Sequence, residues 1–188
     1  MIPAFEAIKS INRERENAVV LSSMTPNRYW EAVTTRPELD LPVFGAMGKM
    51  SSVALGLALA CPDRKVVVLD SDGALLMNLG SLVTIAEQEP PNLVHFVFED
   101  DVYFTTGGQP VPGAGKFDFA GIAREAGIKE SYGFDNLEDF VSELPEIMKK
   151  HGPVFVCLKV AHPDEVPEFR IRKIAPEMKR LAEELRKG

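Results

Sequence analysis

The chain has few of the residues that mark common metal and redox motifs. Its 188 residues include only two cysteines, three histidines and one tryptophan. Cys61 and Cys157 lie far apart, with no CxxC pair and no neighbouring histidine pair, so the usual zinc and redox motifs are excluded and two reduced, buried thiols are expected. The sequence also contains neither GxGxxG nor GxxxxGK[ST], which argues against an ordinary Rossmann dinucleotide site or a P-loop.

Long apolar runs and a basic surplus are absent as well. No apolar stretch approaches the roughly 20 residues that span a bilayer, and the amphipathic N-terminal segment contains acids, unlike a secretory or transit peptide. The formal net charge is −7, which argues against broad nucleic-acid binding because nothing would neutralise a phosphate backbone. We therefore expect a cytoplasmic protein that binds neither membranes nor nucleic acids.

The order of apolar segments predicts a single α/β domain over residues 1–188. The runs 65–70 and 93–98 are unbroken and apolar, as is typical of strands buried on both faces of a parallel sheet. The segment 74–88 between them has helical periodicity, which completes a βαβ unit. Further helices are predicted at 3–17, 29–34, 51–60, 117–126, 136–149 and 174–188, and further strands at 18–21 and 154–160. This alternation predicts a three-layer, doubly wound, mostly parallel sheet with helices on both faces.

Acidic residues end both central strands of this sheet. The first strand runs into Asp70-Ser71-Asp72-Gly73, and the second runs into Glu99-Asp100-Asp101. Because the strands of a βαβ unit end at the same edge of the sheet, we expect the two clusters to lie close together. Carboxylates held close together repel one another unless a cation lies between them, and oxygen ligands at a phosphate-binding edge indicate Mg²⁺.

The spacing of the two clusters resembles the magnesium and diphosphate motif of thiamine diphosphate (ThDP) enzymes. That motif begins Gly-Asp-Gly and ends downstream in Asn; here Ser71-Asp72-Gly73 is followed by 26 residues and then by Asp100. The segments 44–60, 75–82 and 102–109 resemble the family as well. In these details the chain is most similar to the β subunit of sulfopyruvate decarboxylase and to the C-terminal half of phosphonopyruvate decarboxylase.

The resemblance implies how the chain would bind the metal and the diphosphate. Mg²⁺ would be held by the side chains of Asp72 and Asp100 and by the backbone carbonyl of Val102. The diphosphate would be held by the backbone amides of Gly73 and Ala74.

The resemblance also implies how the chain would bind the rest of the cofactor. Gly45, Ala46, Met47 and Tyr103 would be further cofactor-binding residues. Met47 would be the apolar wedge that bends ThDP, and the carbonyl of Gly45 would accept a hydrogen bond from the 4′-amino group of the pyrimidine. These two residues are the catalytic candidates.

The implied activity is decarboxylation of a small 2-oxo acid, such as sulfopyruvate or phosphonopyruvate. A ThDP enzyme also needs a pyrimidine-binding domain, and one domain fills these 188 residues. We therefore expect a separate α-type subunit, with homodimerisation or an α₂β₂-like assembly. Two alternatives stay open: an acetolactate synthase-like subunit, and a non-catalytic structural subunit. The second is motivated by Ser71, which replaces the first Gly of the motif, and by Asp100, which replaces Asn.

Several other polar residues have a structural interpretation. His95 lies inside an apolar strand and is expected to be a satisfied core residue, whereas His151 and His162 are expected in solvent. Asn78 is expected to cap or pack. Two groups have both a structural and a functional interpretation. The first either faces substrate or shapes a Gly-rich turn: Thr105, Thr106 and Gln109. The second forms a solvated helical face or meets a partner: Arg170, Arg172, Lys173 and Lys179.

Overall fold

In the computed structural model, which describes residues 1–163, 165–168 and 172–187, the buried apolar runs form strands of a parallel sheet. The strands in chain order are β1 (Ile2–Pro3), β2 (Val19–Ser23), β3 (Asp40–Val43), β4 (Val66–Ser71), β5 (Leu93–Glu99), β6 (Val102–Tyr103), β7 (Gln109–Pro110), β8 (Glu130–Phe134) and β9 (Val154–Ala161). Strands β6 and β7 pair with each other as a short antiparallel ribbon, and the other seven form the central sheet.

The central sheet has the order β3-β2-β4-β5-β9, and every pairing in it is parallel. The far edge of β9 pairs with two strands in succession, β8 along Val154–Leu158 and β1 along Val160 and Ala161. The chain leaves β2 in one direction for β3 and returns on the other side for β4. The carboxyl ends of β2 and β4 therefore flank a topological switch point, where α/β sheets bind ligands.

Helices cover both faces of the sheet. They are α1 (Ala4–Glu14), α2 (Met24–Val33), α3 (Met50–Ala60), α4 (Asp72–Leu76), α5 (Ser81–Gln88), α6 (Phe119–Glu125), α7 (Leu137–Lys149) and α8 (Ile174–Leu185). Helices α1, α2 and α7 pack on the face to which Val67 and Leu69 point, and α3, α5, α6 and α8 pack on the face of Val66 and Val68. The predicted three-layer α/β fold is thus confirmed. Within the described residues, no helix combines the length and the apolar character needed to cross a membrane.

Two of these helices begin where their sequences provide a cap. Asp118 Oδ1 accepts a hydrogen bond from the backbone amide of Gly121, which starts α6 at Phe119. Asn136 Oδ1 accepts from the amides of Glu138 and Asp139, which starts α7 at Leu137. These side chains satisfy amides that have no partner inside the helix.

The prediction of one helix over residues 74–88 is wrong. The segment forms two helices, α4 and α5, separated by the turn 77–80. Asn78 Nδ2 donates to the backbone carbonyl of Gly48 at 3.0 Å, and Ser81 Oγ donates to the carbonyl of Asn78. The turn is therefore held against the loop that precedes α3, a partner that helical periodicity does not reveal. The strand β8 was also missed, because Glu130–Phe134 lacks the unbroken apolar pattern of the central strands.

Candidate functional site

Asp72 joins the ends of the two central strands. It is the first residue of α4, directly after β4, and its side chain is fully buried. Oδ2 accepts hydrogen bonds from the backbone amides of Asp100 and Asp101, at 3.2 and 2.8 Å, and Oδ1 accepts from the amide of Gly73 at 2.6 Å. The structure thus brings the two acidic strand ends into direct contact.

The carboxyl of Asp72 lies in a strongly unfavourable place for an anion. Burial and, to a lesser degree, the nearby charge of Asp100 raise its pKa to about 7, against the opposing effect of the three backbone amides. A cation beside Asp72 would relieve both effects.

Asp100 is held by a histidine from the far end of the chain. Its side chain is 9% exposed, and its Oδ2 lies 2.6 Å from Nε2 of His162. Nδ1 of His162 lies 2.9 Å from the hydroxyl of Tyr29. Burial raises the pKa of Tyr29 to about 12, so the hydroxyl keeps its proton at neutral pH. The expectation that His162 lies in solvent is wrong, because its side chain is only 9% exposed.

The other two histidines lie where the sequence places them. His151 is exposed. His95 is buried, but its two ring nitrogens have no hydrogen-bond partner among the described residues, and Nε2 lies 3.6 Å from Oδ2 of Asp70. The prediction of a satisfied core histidine is therefore correct for burial and wrong for hydrogen bonding.

A small cavity lies next to Asp100. Its volume is about 30 Å³, and five of the predicted site residues line it together with Thr105, Thr106 and others. Those five are Met47, Gly73, Asp100, Val102 and Tyr103. The ring of Tyr103 fills the space over Gly73, since a Cβ atom added there would lie 2.6 Å from Cε1 of the ring.

The remaining predicted site residues do not line this cavity. Ala74 is fully buried within α4, and Asp72 is likewise fully buried. Gly45 is exposed, with a φ of 72°, a conformation that favours glycine. Ala46 is partly buried against the core on the α3 side of the sheet. Both lie in the loop that leads to Met47.

Ser71 adopts a conformation open to any residue. Its φ is −112° and its ψ is 155°, in the extended region. The replacement of Gly by Ser at the start of the motif thus introduces no strained backbone angle.

The segment after Asp100 is held partly by its own side chains. Thr106 Oγ1 donates to the carbonyl of Tyr103 at 3.4 Å and to Oε1 of Gln109 at 3.3 Å. Thr105 Oγ1 lies 3.3 Å from Oγ1 of Thr25 on α2. These contacts favour the turn-shaping interpretation for Thr106 and Gln109, but Thr105 and Thr106 both line the cavity as well.

The basic residues near the C-terminus differ in exposure and in ion pairing. Arg172 pairs with Glu31 at 3.0 Å and with Glu177 at 3.6 Å while its side chain is 36% exposed, so its charge is partnered within the chain. Lys173 and Lys179 are exposed. Arg170 lies outside the described residues.

The two cysteines are free thiols in different surroundings. Cys157 is buried, and its Sγ donates to Oε2 of Glu99 at 3.1 Å. Burial raises the pKa of this thiol, and the charge of Glu99 raises it further. Cys61 is only partly buried, so the expectation of two buried thiols is wrong for that residue.

The donors at the site are oxygen atoms. In the described part of the chain, no group of three or more His, Cys, Asp or Glu side chains could hold a metal ion. Of the ligands predicted from the sequence, the structure brings the carboxyl groups of Asp72 and Asp100 near each other. Oxygen donors with two negative charges suit a hard cation such as Mg²⁺, which keeps water and phosphate oxygens as its other ligands.

Comparison with known proteins places the chain in a family. Residues 18–158 match the family described as thiamine pyrophosphate enzyme, C-terminal TPP binding domain. The chain belongs to this family. Thiamine pyrophosphate is another name for ThDP, and the match spans all the site residues predicted between 45 and 103. The resemblance identified from the sequence is thereby confirmed.

The most similar relatives within this TPP-binding family include two subunits and one longer enzyme. Sulfopyruvate decarboxylase subunit beta of Methanothermobacter thermautotrophicus is 36% identical over 85% of this chain and 83% of the relative. The protein of the same name from Methanocaldococcus jannaschii is 33% identical over 76% of this chain and 74% of the relative. Phosphonopyruvate decarboxylase of Streptomyces viridochromogenes is 35% identical over 78% of this chain, but the match spans only 36% of that enzyme.

Proposed function

We propose that the chain is the diphosphate-binding subunit of a ThDP- and Mg²⁺-dependent decarboxylase. Its substrate would be a 2-oxo acid of the sulfopyruvate or phosphonopyruvate type, since its relatives are named for these two activities. The observation that carries the proposal is the contact of the buried Asp72 carboxyl with the amides of Asp100 and Asp101, because Asp100 lines the cavity together with Met47 and Gly73.

The proposed metal ligands are Asp72, Asp100 and the carbonyl of Val102. The raised pKa of Asp72, about 7, supports this assignment, because a buried carboxyl next to a second one gains most from a cation. Asp100 in place of Asn keeps an oxygen donor at this position, and Mg²⁺ accepts either kind of oxygen. The extended backbone at Ser71 argues against a degenerate site.

The remaining proposed roles concern the cofactor. The amides of Gly73 and Ala74 would bind the diphosphate, and the amide of Gly73 would exchange its present bond to Asp72 for one to a phosphate oxygen. Met47 would hold the cofactor in its bent form, and the carbonyl of Gly45 would orient the aminopyrimidine. Bound ThDP would supply the electron sink for loss of CO₂.

The proposed site needs a second chain. The relatives named subunit beta imply a partner subunit, and we propose that this partner supplies the pyrimidine-binding domain. The active site would then lie between the two chains, in an α₂β₂-like assembly.

Calorimetry with ThDP and Mg²⁺ tests the cofactor site. The chain is titrated alone and together with a pyrimidine-domain chain from a neighbouring reading frame. Asp72→Ala is expected to abolish binding, because it removes a metal ligand, whereas Asp63→Ala, at an exposed aspartate, is expected to bind as the wild type does. If the wild type binds no ThDP in either state, the non-catalytic structural role is correct instead.

Release of CO₂ tests the activity. The assembled chains are expected to decarboxylate sulfopyruvate or phosphonopyruvate, and the isolated chain is expected to be inactive. Normal turnover by the isolated chain would contradict the proposed partner, and turnover of pyruvate to acetolactate would favour the synthase alternative.

A further inference from the structure

We propose that His162 is a positioning residue for Asp100. It would hold one carboxylate oxygen, so that the other stays available to a cation. This inference rests on the proposed metal site, in which Asp100 is a ligand, and adds a residue that lies 62 positions away in the sequence.

The two oxygens of Asp100 have different partners. Oδ2 lies 2.6 Å from Nε2 of His162, a short contact for a charge-assisted hydrogen bond. Oδ1 accepts a longer hydrogen bond, 3.2 Å, from the amide of Val102, whose carbonyl is the third proposed ligand. His162 therefore fixes the orientation of the carboxylate and leaves Oδ1 on the side of Val102.

Besides Asp100, two residues hold the ring of His162. Tyr29, which is fully buried on α2, places its hydroxyl 2.9 Å from Nδ1 and stacks on the imidazole with the ring centroids 5.8 Å apart. Phe104 packs on the imidazole at a centroid distance of 4.3 Å. The ring has no freedom to turn away from Asp100 without losing these contacts.

The hydrogen bonds form a consistent chain. If the Tyr29 hydroxyl donates to Nδ1, the neutral imidazole carries its proton on Nε2 and donates it to Asp100. Residues that hydrogen-bond a metal ligand in this way orient it, and their loss typically weakens metal binding by about 10- to 100-fold.

The test measures Mg²⁺ affinity by calorimetry at saturating ThDP, on the chain assembled with its pyrimidine-domain partner, with thermal unfolding of the ligand-free chain as a second readout. His162→Leu removes the donor and is expected to weaken Mg²⁺ binding about 10- to 100-fold. His162→Gln offers an amide N–H in place of Nε2 and is expected to recover most of the affinity. His151→Leu, at an exposed histidine, is the matched control and should bind as the wild type does.

Tyr29→Phe tests the same chain of hydrogen bonds from its other end. It removes only the hydroxyl and is expected to weaken Mg²⁺ binding less than His162→Leu does. In the His162→Leu background it should have no further effect, because its partner is already absent.

The inference fails if His162→Leu lowers the unfolding temperature but leaves the Mg²⁺ affinity unchanged, since that result describes a purely structural residue. If His162→Leu does not fold, wild-type affinity in Tyr29→Phe overturns the inference, and reduced affinity supports it. Absence of Mg²⁺ binding by the wild type would instead refute the proposed metal site, and the positioning role with it.

Discussion

The ring of Tyr103 lies over Gly73, so close that a Cβ atom at Gly73 would come within 2.6 Å of Cε1. The added Cβ atom would also lie 3.2 Å from Cγ1 of Val111. Gly73 does not have a positive φ. Glycine is therefore required here by lack of space, and the contact ties the ribbon strand β6 to the first turn of α4.

Gly73→Ala is expected to destabilise the chain by about 1–3 kcal/mol, because the ring or the backbone must shift to admit the methyl group. Urea denaturation measures this loss. Gly56→Ala is the matched control, since a Cβ there meets nothing within 4 Å and alanine favours a helix interior. Tyr103→Ala should offset most of the loss when combined with Gly73→Ala. A double variant as unstable as the sum of the two single variants would contradict the proposed clash.

The stability of the metal-free chain is expected to depend on the ionisation of Asp72. Its pKa is raised from 3.8 to about 7, so the folded state holds a proton that the unfolded state has lost between these values. The stability from protonated Asp72 is complete below about pH 4 and is lost as the pH rises through about 7. Urea denaturation at about pH 5 and about pH 8 should therefore show the advantage of the wild type over Asp72→Asn shrinking at the higher pH. A constant difference would refute the raised pKa.

The affinity for Mg²⁺ is expected to change with pH in the opposite direction. Below about pH 7 a proton competes with the cation for Asp72, so calorimetry should show weaker binding at about pH 5 than at about pH 8. Equal affinity at both values would argue against Asp72 as a ligand.

Ser71→Gly is expected to leave cofactor binding unchanged. The extended backbone at Ser71 does not need glycine, and glycine at the end of β4 should lower stability by about 0.5–1 kcal/mol. ThDP titration and urea denaturation together check this expectation. A large gain in ThDP affinity would show that serine impairs the motif.

Arg15→Met is expected to destabilise the chain by about 3–5 kcal/mol, because it leaves the buried carboxylate of Asp40 without its partner. The two side chains are 2.7 Å apart and only 3% and 7% exposed. Lys149→Met breaks an exposed pair with Glu146, with side chains 71% and 69% exposed, and should have little measurable effect on stability. Equal losses in the two variants, measured by urea denaturation, would contradict this assignment.

The amino-acid sequence by itself determined the central strands, the parallel α/β class and the family. These depend on local patterns. An apolar run such as 93–98 predicts a buried strand wherever it lies, and the spacing between Asp72 and Asp100 indicates the ThDP-binding motif. The two acidic clusters could be placed together because strands of one βαβ unit end at one edge of a sheet.

Only the tertiary structure decided which side chains support those acids. His162 follows β9, which pairs with β5, so a residue 62 positions from Asp100 comes to bind it, and no local pattern marks that contact. The break between α4 and α5 likewise depends on the bond from Asn78 to Gly48. The apolar periodicity of a segment indicates only the secondary structure that the segment favours by itself. The contact of His162 with Asp100 and the break between α4 and α5 depend instead on residues that are distant in the sequence and adjacent in the fold.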